Sequence, residues 1–440
     1  MIRSAAFVAF MAAGLLASPI YAQTSGFGCS QTDADTGLAS IEGRDGVFYR
    51  VLADLRMHHA MEDKVMARVS ALSSALEARG TTLIYLAVPT KSQAMPQYLP
   101  PVAAAYAYDS ATATLVYDDI IRRLGKHGVL APDVLSALLT AKPDTPPFFQ
   151  ADFHWTPEGA RLTAQAIAEV MKAQPFYGDL ELSEYKTVAL EQTQAFSTMR
   201  RTLQVYCINE LPRVRAQAHL TEQTAGSVEG ASDIFAGGSD SPKVVLVGTS
   251  FSDSPLGNFA GYISEYSGLD VVNYAVTGGN QFGAITSYLT SRDFAESPPR
   301  FLVWENPIYN NLAQFGPEPL EELVAAAGES CIKVLPTTRI DANTISASLV
   351  GQAIKPGDVI LADLGTDGPR EALFALTTQS GVTRSALMQR NDRMLASGRF
   401  FKPLANVYHP DLATITVTFD QSLTDASTLT LCPSADKDAF

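Results

Sequence analysis

The chain has 440 residues, enough for two or three domains. Hydrophobic residues make up 46% and charged residues 18%, which fits a packed globular protein and excludes a disordered or collagen-like one. A net charge of −14 argues against nucleic acid as a partner, and against any polyanion unless basic residues gather locally.

In chain order, Arg3 precedes an apolar run from Ala5 to Leu16 and the small-residue exit Ile20-Tyr21-Ala22. This is the pattern of a cleaved secretory signal, residues 1–22, and its apolar run is shorter than the ~20 residues a membrane span needs. Gly26-Phe27-Gly28 before Cys29 is a poor lipobox, so the mature protein is expected in the periplasm or outside the cell. The four cysteines, Cys29, Cys207, Cys331 and Cys432, allow three pairings and have no metal-site spacing. Joining Cys29 to Cys207 and Cys331 to Cys432 would staple each of two domains, and a loop of about 100 residues is worth ~4–5 kcal/mol in the chain-entropy model.

From about residue 30 to 330, strand-like and helix-like segments alternate. Val65, Val69, Leu72 and Leu76 share one helical face that Gly80 stops, and the run Thr81 to Pro89 follows as a buried strand. Lys243 to Val247, Val271 to Val276 and Phe301 to Trp304 are further short strands, while Thr156 to Lys172, Gln281 to Ser291 and Glu318 to Ala327 read as helices. Strands apolar on both faces and separated by helices imply a parallel, flavodoxin-like sheet between helices, with chemistry at the carboxyl ends of its strands. After about residue 330 the helical period largely disappears. Val359 to Ala362, Leu373 to Thr378, Leu412 to Thr418 and Thr428 to Leu431 read as strands of a small all-β sandwich. The expected division is an α/β domain over 23–328 and the sandwich over 329–440.

Ser250, in Val247-Gly248-Thr249-Ser250-Phe251-Ser252, follows a buried strand and would sit at the carboxyl edge of the sheet at the start of a helix. Asp152-Phe153-His154-Trp155-Thr156-Pro157 precedes a helix for which Thr156 is the cap and Pro157 the first residue. Of six histidines only His154 has an acidic residue two positions away in such a loop. Asp152 can hold Nδ1–H of His154, leaving Nε2 to take a proton from Ser250.

Asp-x-His-Trp-Thr followed far downstream by Gly-Thr-Ser-Phe-Ser resembles the AlgX/AlgJ family of alginate O-acetyltransferases, as do Glu42-Gly43-Arg44-Asp45-Gly46, Val88-Pro89-Thr90-Lys91, Thr277-Gly278-Gly279-Asn280-Gln281-Phe282 and Trp304-Glu305-Asn306-Pro307-Ile308-Tyr309. The resemblance implies an SGNH-hydrolase-like α/β domain in which Asp and His precede Ser. The export leader and appended sandwich resemble the AlgX-like branch, whose second domain binds carbohydrate. It further implies Ser250 as nucleophile, His154 as base and Asp152 as its orienter, with no cofactor and no metal. Oxyanion donors would be the Ser250 amide and an amide near Gly278 or Gly279; Asn280 offers a side-chain donor or a turn. Tyr309 is either a substrate contact or a core residue, and Lys91 and Arg44 either hold a uronate carboxylate or support a loop. The expected partners are an anionic polysaccharide acceptor, a membrane-bound O-acyltransferase that relays acetyl, and other periplasmic biosynthesis and export proteins.

Between 370 and 402 stand Arg370, Arg384, Arg390, Arg393, Arg399 and Lys402 against only Glu371 and Asp392. Arg390, Arg393, Arg399 and Lys402 are therefore expected to form a cationic face for a polyuronate, arginine being suited to two-pronged carboxylate contacts. Both tryptophans, Trp155 and Trp304, lie in the first domain, so the second lacks a tryptophan platform for sugars. The alternatives to a transferase are an acetyl esterase with the same triad and a non-catalytic polysaccharide-binding scaffold.

Overall fold

A computed structural model describes residues 25–224, 242–328 and 330–434, so the expected signal peptide lies outside the described residues. Before position 310 the described strands are β1 (Ser40–Glu42), β2 (Phe48–Arg50), β3 (Thr82–Val88), β4 (Tyr185–Gln194), β5 (Arg215–Gln223), β6 (Val244–Val247), β7 (Val271–Asn273) and β8 (Phe301–Pro307). The central sheet runs β3-β8-β6-β7 with every pairing parallel. Its strands are apolar on both faces because each face feeds a separate core. Leu83, Tyr85, Val245, Val247, Leu302 and Trp304 join one cluster, and their neighbours Ile84, Leu86, Val244, Leu246, Phe301 and Val303 join the other. The helices Asp63–Ala78, Ser110–Lys126 and Glu318–Ala327 cover the first face, and Pro157–Lys172 with Phe259–Ser267 cover the second. All four strands run the same way, so their carboxyl ends share one edge, where the loops after β6 and β8 emerge.

The antiparallel hairpin β4–β5 escapes the sequence pattern because most of its residues are exposed on both faces. Of the three possible disulfide pairings the protein adopts Cys29–Cys207 and Cys331–Cys432. Among the described residues no helix is long and apolar enough to cross a membrane.

Beyond residue 330 two antiparallel sheets stack. The five-stranded sheet is ordered Thr337–Arg339, Thr344–Ser348, Leu412–Phe419, Glu371–Thr378, Thr383–Gln389. The four-stranded sheet is ordered Arg399–Pro403, Val359–Asp363, Thr428–Cys432, Lys333–Val334. Ile360, Ala362, Phe400, Leu429 and Leu431 face the five-stranded sheet across a shared core. Val359, Leu361, Phe401 and Cys432 point the other way and pack into the first core of the α/β part. One sheet is thus buried on both faces, and the two parts of the chain are joined by apolar surface.

That junction overturns the expected cationic face. Arg390 is 7% exposed and grips both oxygens of Glu322 (Nη1–Oε2 3.0 Å), a residue of the helix Glu318–Ala327. Lys402, 1% exposed, donates to Glu318 of the same helix at 2.8 Å. Arg399 lies 3.4 Å from Asp363 and donates to the carbonyls of Thr290 and Ser291, and Arg393 donates to the Thr277 carbonyl at 2.9 Å. A basic run within one part of a chain does not reveal the acids and carbonyls that another part sets against it. Three of these side chains are joining groups with their charges spent, and the exposed Arg393 is tied to the 277 loop.

Arg390→Ala leaves the Glu322 carboxylate buried without its partner, which costs about 3–5 kcal/mol. Chemical denaturation should show a loss of that order, partly recovered in the double variant Arg390→Ala with Glu322→Ala. An unchanged midpoint in the single variant would contradict a buried pair.

Candidate active site

The turn after β6 carries Ser250 as the first residue of the short helix Ser250–Asp253, capped by Thr249, whose Oγ1 accepts from the Phe251 amide. At this first position the Ser250 N–H has no acceptor within its own helix. Ninety-six residues away in sequence, His154 Nε2 lies 2.8 Å from Ser250 Oγ. His154 Nδ1 lies 2.6 Å from Asp152 Oδ1, which also accepts from the His154 amide at 2.8 Å. The carboxylate therefore fixes both the ring and the backbone of the histidine. The Asp152 side chain is 3% exposed and that of His154 26%, so the line of groups is closed at the acid and open toward the serine.

The loop that presents Asp152 and His154 is pinned at several points. Thr156 caps the helix Pro157–Lys172, and its own amide donates to the Pro147 carbonyl. Gly159 is needed there, because a Cβ would lie 2.2 Å from the Pro147 oxygen. Trp155 Nε1 donates to the Phe251 carbonyl at 3.0 Å, tying this loop to the turn that carries Ser250, and its ring meets Phe251 edge-on. Ser197, cap of the helix Thr198–Gln204, donates to Asp152 Oδ2. Burial opposes charge on Asp152, but His154, through hydrogen bond and charge, and the Ser197 hydroxyl hold its carboxyl below the usual carboxylate range.

Lys91 does not reach the open side of the site. It is 1% exposed and donates from Nζ to the carbonyls of Gln150 (2.7 Å) and Asp152 (3.0 Å), so of its two expected roles it takes loop support. Burial pushes its ammonium down to about 7, against the pull of Asp54 and Asp152. Gly279 and Asn280 are likewise taken up in a turn. The Gly279 amide donates to Val276 O, and Asn280, at φ 57°, accepts from the Phe282 amide through its own side chain. The Gly279 amide is therefore spent within the turn, whereas Asn280 gives the turn only its side-chain oxygen, an acceptor that an oxyanion could not use. Arg44 stays exposed on the turn after β1.

Tyr309 does come close to the site, through Arg50. The Arg50 guanidinium is held by both oxygens of Asp54 and stacked between the Tyr309 ring (4.5 Å) and the Phe153 ring (4.3 Å), which itself lies against His154. Arg50, Ser197 and Glu305 were not singled out in the sequence. Glu305 left a signal, an acid directly after the apolar run Phe301 to Trp304; it is 0% exposed and accepts from the Thr249 amide at 2.7 Å. Among the described residues no three His, Cys, Asp or Glu side chains converge as metal ligands would.

Such a line of serine, imidazole and carboxylate, open at the serine, is arranged for nucleophilic attack on an acyl carbon. Residues 41–308, which contain all three groups, match the family model described as SGNH hydrolase-like domain, acetyltransferase AlgX. The alginate biosynthesis protein AlgX of Pseudomonas aeruginosa is 30% identical over 274 residues, covering 62% of this chain and 56% of that protein. The probable alginate O-acetylase AlgJ of Pseudomonas syringae pv. tomato is 31% identical over 271 residues, covering 59% of this chain and 66% of that one. The matched region is thus just over half the length of the AlgX relative. The solved structure of Pseudomonas aeruginosa AlgX superimposes with a TM-score of 0.75 at 22% identity, over 90% of this chain and 95% of that one, which shows a shared fold. The O-acetyltransferase domain of Pseudomonas putida AlgJ gives 0.52 at 24% identity, over 65% of this chain and 98% of its own. By its matching model and its relatives, the chain belongs to the AlgX/AlgJ family of proteins with an SGNH hydrolase-like acetyltransferase domain.

Proposed function

We propose that this protein is a periplasmic O-acetyltransferase that places acetyl groups on hydroxyls of an exopolysaccharide, alginate or a related polyuronate. The observation that carries the reading is the continuous hydrogen-bonded line from Ser250 through His154 to Asp152. Ser250 Oγ attacks the acetyl carbonyl of the donor while its proton passes to His154 Nε2. Asp152 stabilises the imidazolium, and the Ser250 N–H faces the developing oxyanion. The tetrahedral intermediate collapses, the donor alkoxide leaves with the proton from His154, and an acetyl ester remains on Ser250. A sugar hydroxyl then gives its proton to His154 and attacks that ester; the intermediate expels Ser250 Oγ, which takes the proton back from His154, and the acetylated sugar departs.

The names of the curated relatives support alginate as acceptor. The export leader read over residues 1–22 and the two disulfides support the periplasm. In this reading residues 23–328 form the catalytic domain and 329–440 a carbohydrate-binding sandwich. The acetyl donor is relayed by a membrane-bound O-acyltransferase working with other biosynthesis and export proteins. With Arg390, Arg399 and Lys402 spent at the junction, the sandwich meets its polymer through other exposed surface.

The test is incubation with an activated acetyl ester and an oligouronate, read by mass spectrometry. Acetylated oligouronate is expected, and Ser250→Ala should lower transfer by about 10⁴-fold or more. Free acetate alone would make the protein an esterase, and undiminished transfer by Ser250→Ala would remove the serine mechanism. Ser197→Ala takes one donor from the Asp152 carboxylate. It should slow sulfonylation of Ser250 by a sulfonyl fluoride by about tenfold and, as a lost helix cap, cost about 1 kcal/mol of stability. An unchanged labelling rate would mean that Asp152 is oriented without Ser197.

A further inference from the structure

The Glu305 carboxylate is wholly buried, yet it belongs to neither the Ser250–His154–Asp152 line nor an ion pair among the described residues. It sits near the carboxyl end of β8, beside the nucleophile turn. Oε2 accepts from the Thr249 amide (2.7 Å) and from Ser252 Oγ (3.0 Å), and both oxygens lie 3.1 Å from Thr249 Oγ1. Thr249 and Ser252 flank Ser250 and Phe251. A Cβ at Gly248, just before them, would lie 2.5 Å from Glu305 Oε2 and 2.9 Å from Glu305 Cβ, so any side chain there would displace Glu305.

Every group that meets the carboxylate brings a hydrogen. The amide can only donate, and an ionised carboxylate can only accept, so the Thr249 and Ser252 hydroxyls direct their hydrogens to it. Protonation of Glu305 would remove the charge that strengthens these bonds and make the Ser252 or Thr249 hydroxyl turn round to accept, leaving the Thr249 amide on a neutral acid. We propose that Glu305 is a positioning residue for Ser250, that its ionised form holds the turn in the geometry that reaches His154, and that its protonation loosens the turn and lowers activity. The inference rests on the proposed role of Ser250 as nucleophile.

The surroundings poise this protonation near neutrality. Burial pushes the Glu305 carboxyl up to about 7, against the Thr249 amide, the Ser252 and Thr249 hydroxyls and the charge of His154, all of which favour the anion. The other titratable groups acting on it are Tyr85 from β3 and Tyr309 from the segment after β8. Activity that needs the anion is present above about 7 and is lost as pH falls through that value.

The experiment is the pH dependence of kcat/KM for transfer from 4-nitrophenyl acetate to an oligouronate, by wild type, Glu305→Gln, Ser252→Ala and Ser250→Ala. Because Glu305 must be deprotonated in the wild type, its acid limb should be steeper than that of a variant with no ionisable group at this position. Glu305→Gln should lower kcat by about 10–100-fold with KM for the ester changed by no more than about twofold, and its acid limb should fall with a slope of about 1. Ser252→Ala removes one donor to the carboxylate and should move the acid limb to higher pH. If Glu305→Gln does not fold, as judged by circular dichroism and thermal melting, Ser252→Ala carries the test. Wild-type kcat and slope in Glu305→Gln, or an unmoved limb in Ser252→Ala, overturns the inference. If Ser250→Ala is inactive in that same assay, the serine mechanism survives the failure of this inference; if it is fully active, both fall together.

Discussion

In the proposed mechanism a proton passes between Ser250 and His154 across a hydrogen bond, so two loops 96 residues apart must be held at 2.8 Å against thermal motion. Most of the surrounding structure can be understood as meeting that one tolerance. The parallel sheet sets the coarse position by delivering its strand ends to one edge. The fine position comes from buried polar groups. Lys91 holds the carbonyl of Asp152, Ser197 holds its carboxylate, Trp155 holds the carbonyl of Phe251 and Glu305 holds the amide of Thr249. None of these groups can move to water without leaving a buried partner unsatisfied, which is what makes them rigid.

The second part of the chain is fastened to this scaffold by apolar packing and by charges that face inward. Val359, Leu361 and Phe401 enter the first core, while Arg390 and Lys402 close on Glu322 and Glu318. Arg393 reaches further, to the carbonyl of Thr277, whose own amide donates to Asp253 in the helix that Ser250 begins. A loop of the appended part, between the strands Thr383–Gln389 and Arg399–Pro403, is therefore in direct contact with the loop beside the turn that carries Ser250.

What the sequence made legible was local. Buried strands announce themselves by continuous apolar runs, and Thr156-Pro157 marks a helix start from two residues. Asp152 and His154 lie two positions apart, so their meeting could be read directly. Lys91 was singled out but with two possible roles, because its partners are carbonyls some sixty residues away. Ser197 reads as an ordinary cap, and its second bond, to Asp152, depends on tertiary structure alone. The same limit misled the reading of the basic run, in which Arg390 and Lys402 look like surface until the helix Glu318–Ala327 is set against them. Periodicity and capping are short-range, whereas satisfaction of buried charge is decided across the fold.

The central claim is that acetyl rests on Ser250 on its way to a sugar, and rapid-quench peptide mapping tests it most directly. After mixing with 4-nitrophenyl acetate, the account predicts acetyl on the peptide that contains Ser250, disappearing faster when an oligouronate is added as the ester appears on the sugar. Acetyl on another residue, or transfer to the sugar with Ser250 unmodified at every time point, would contradict it.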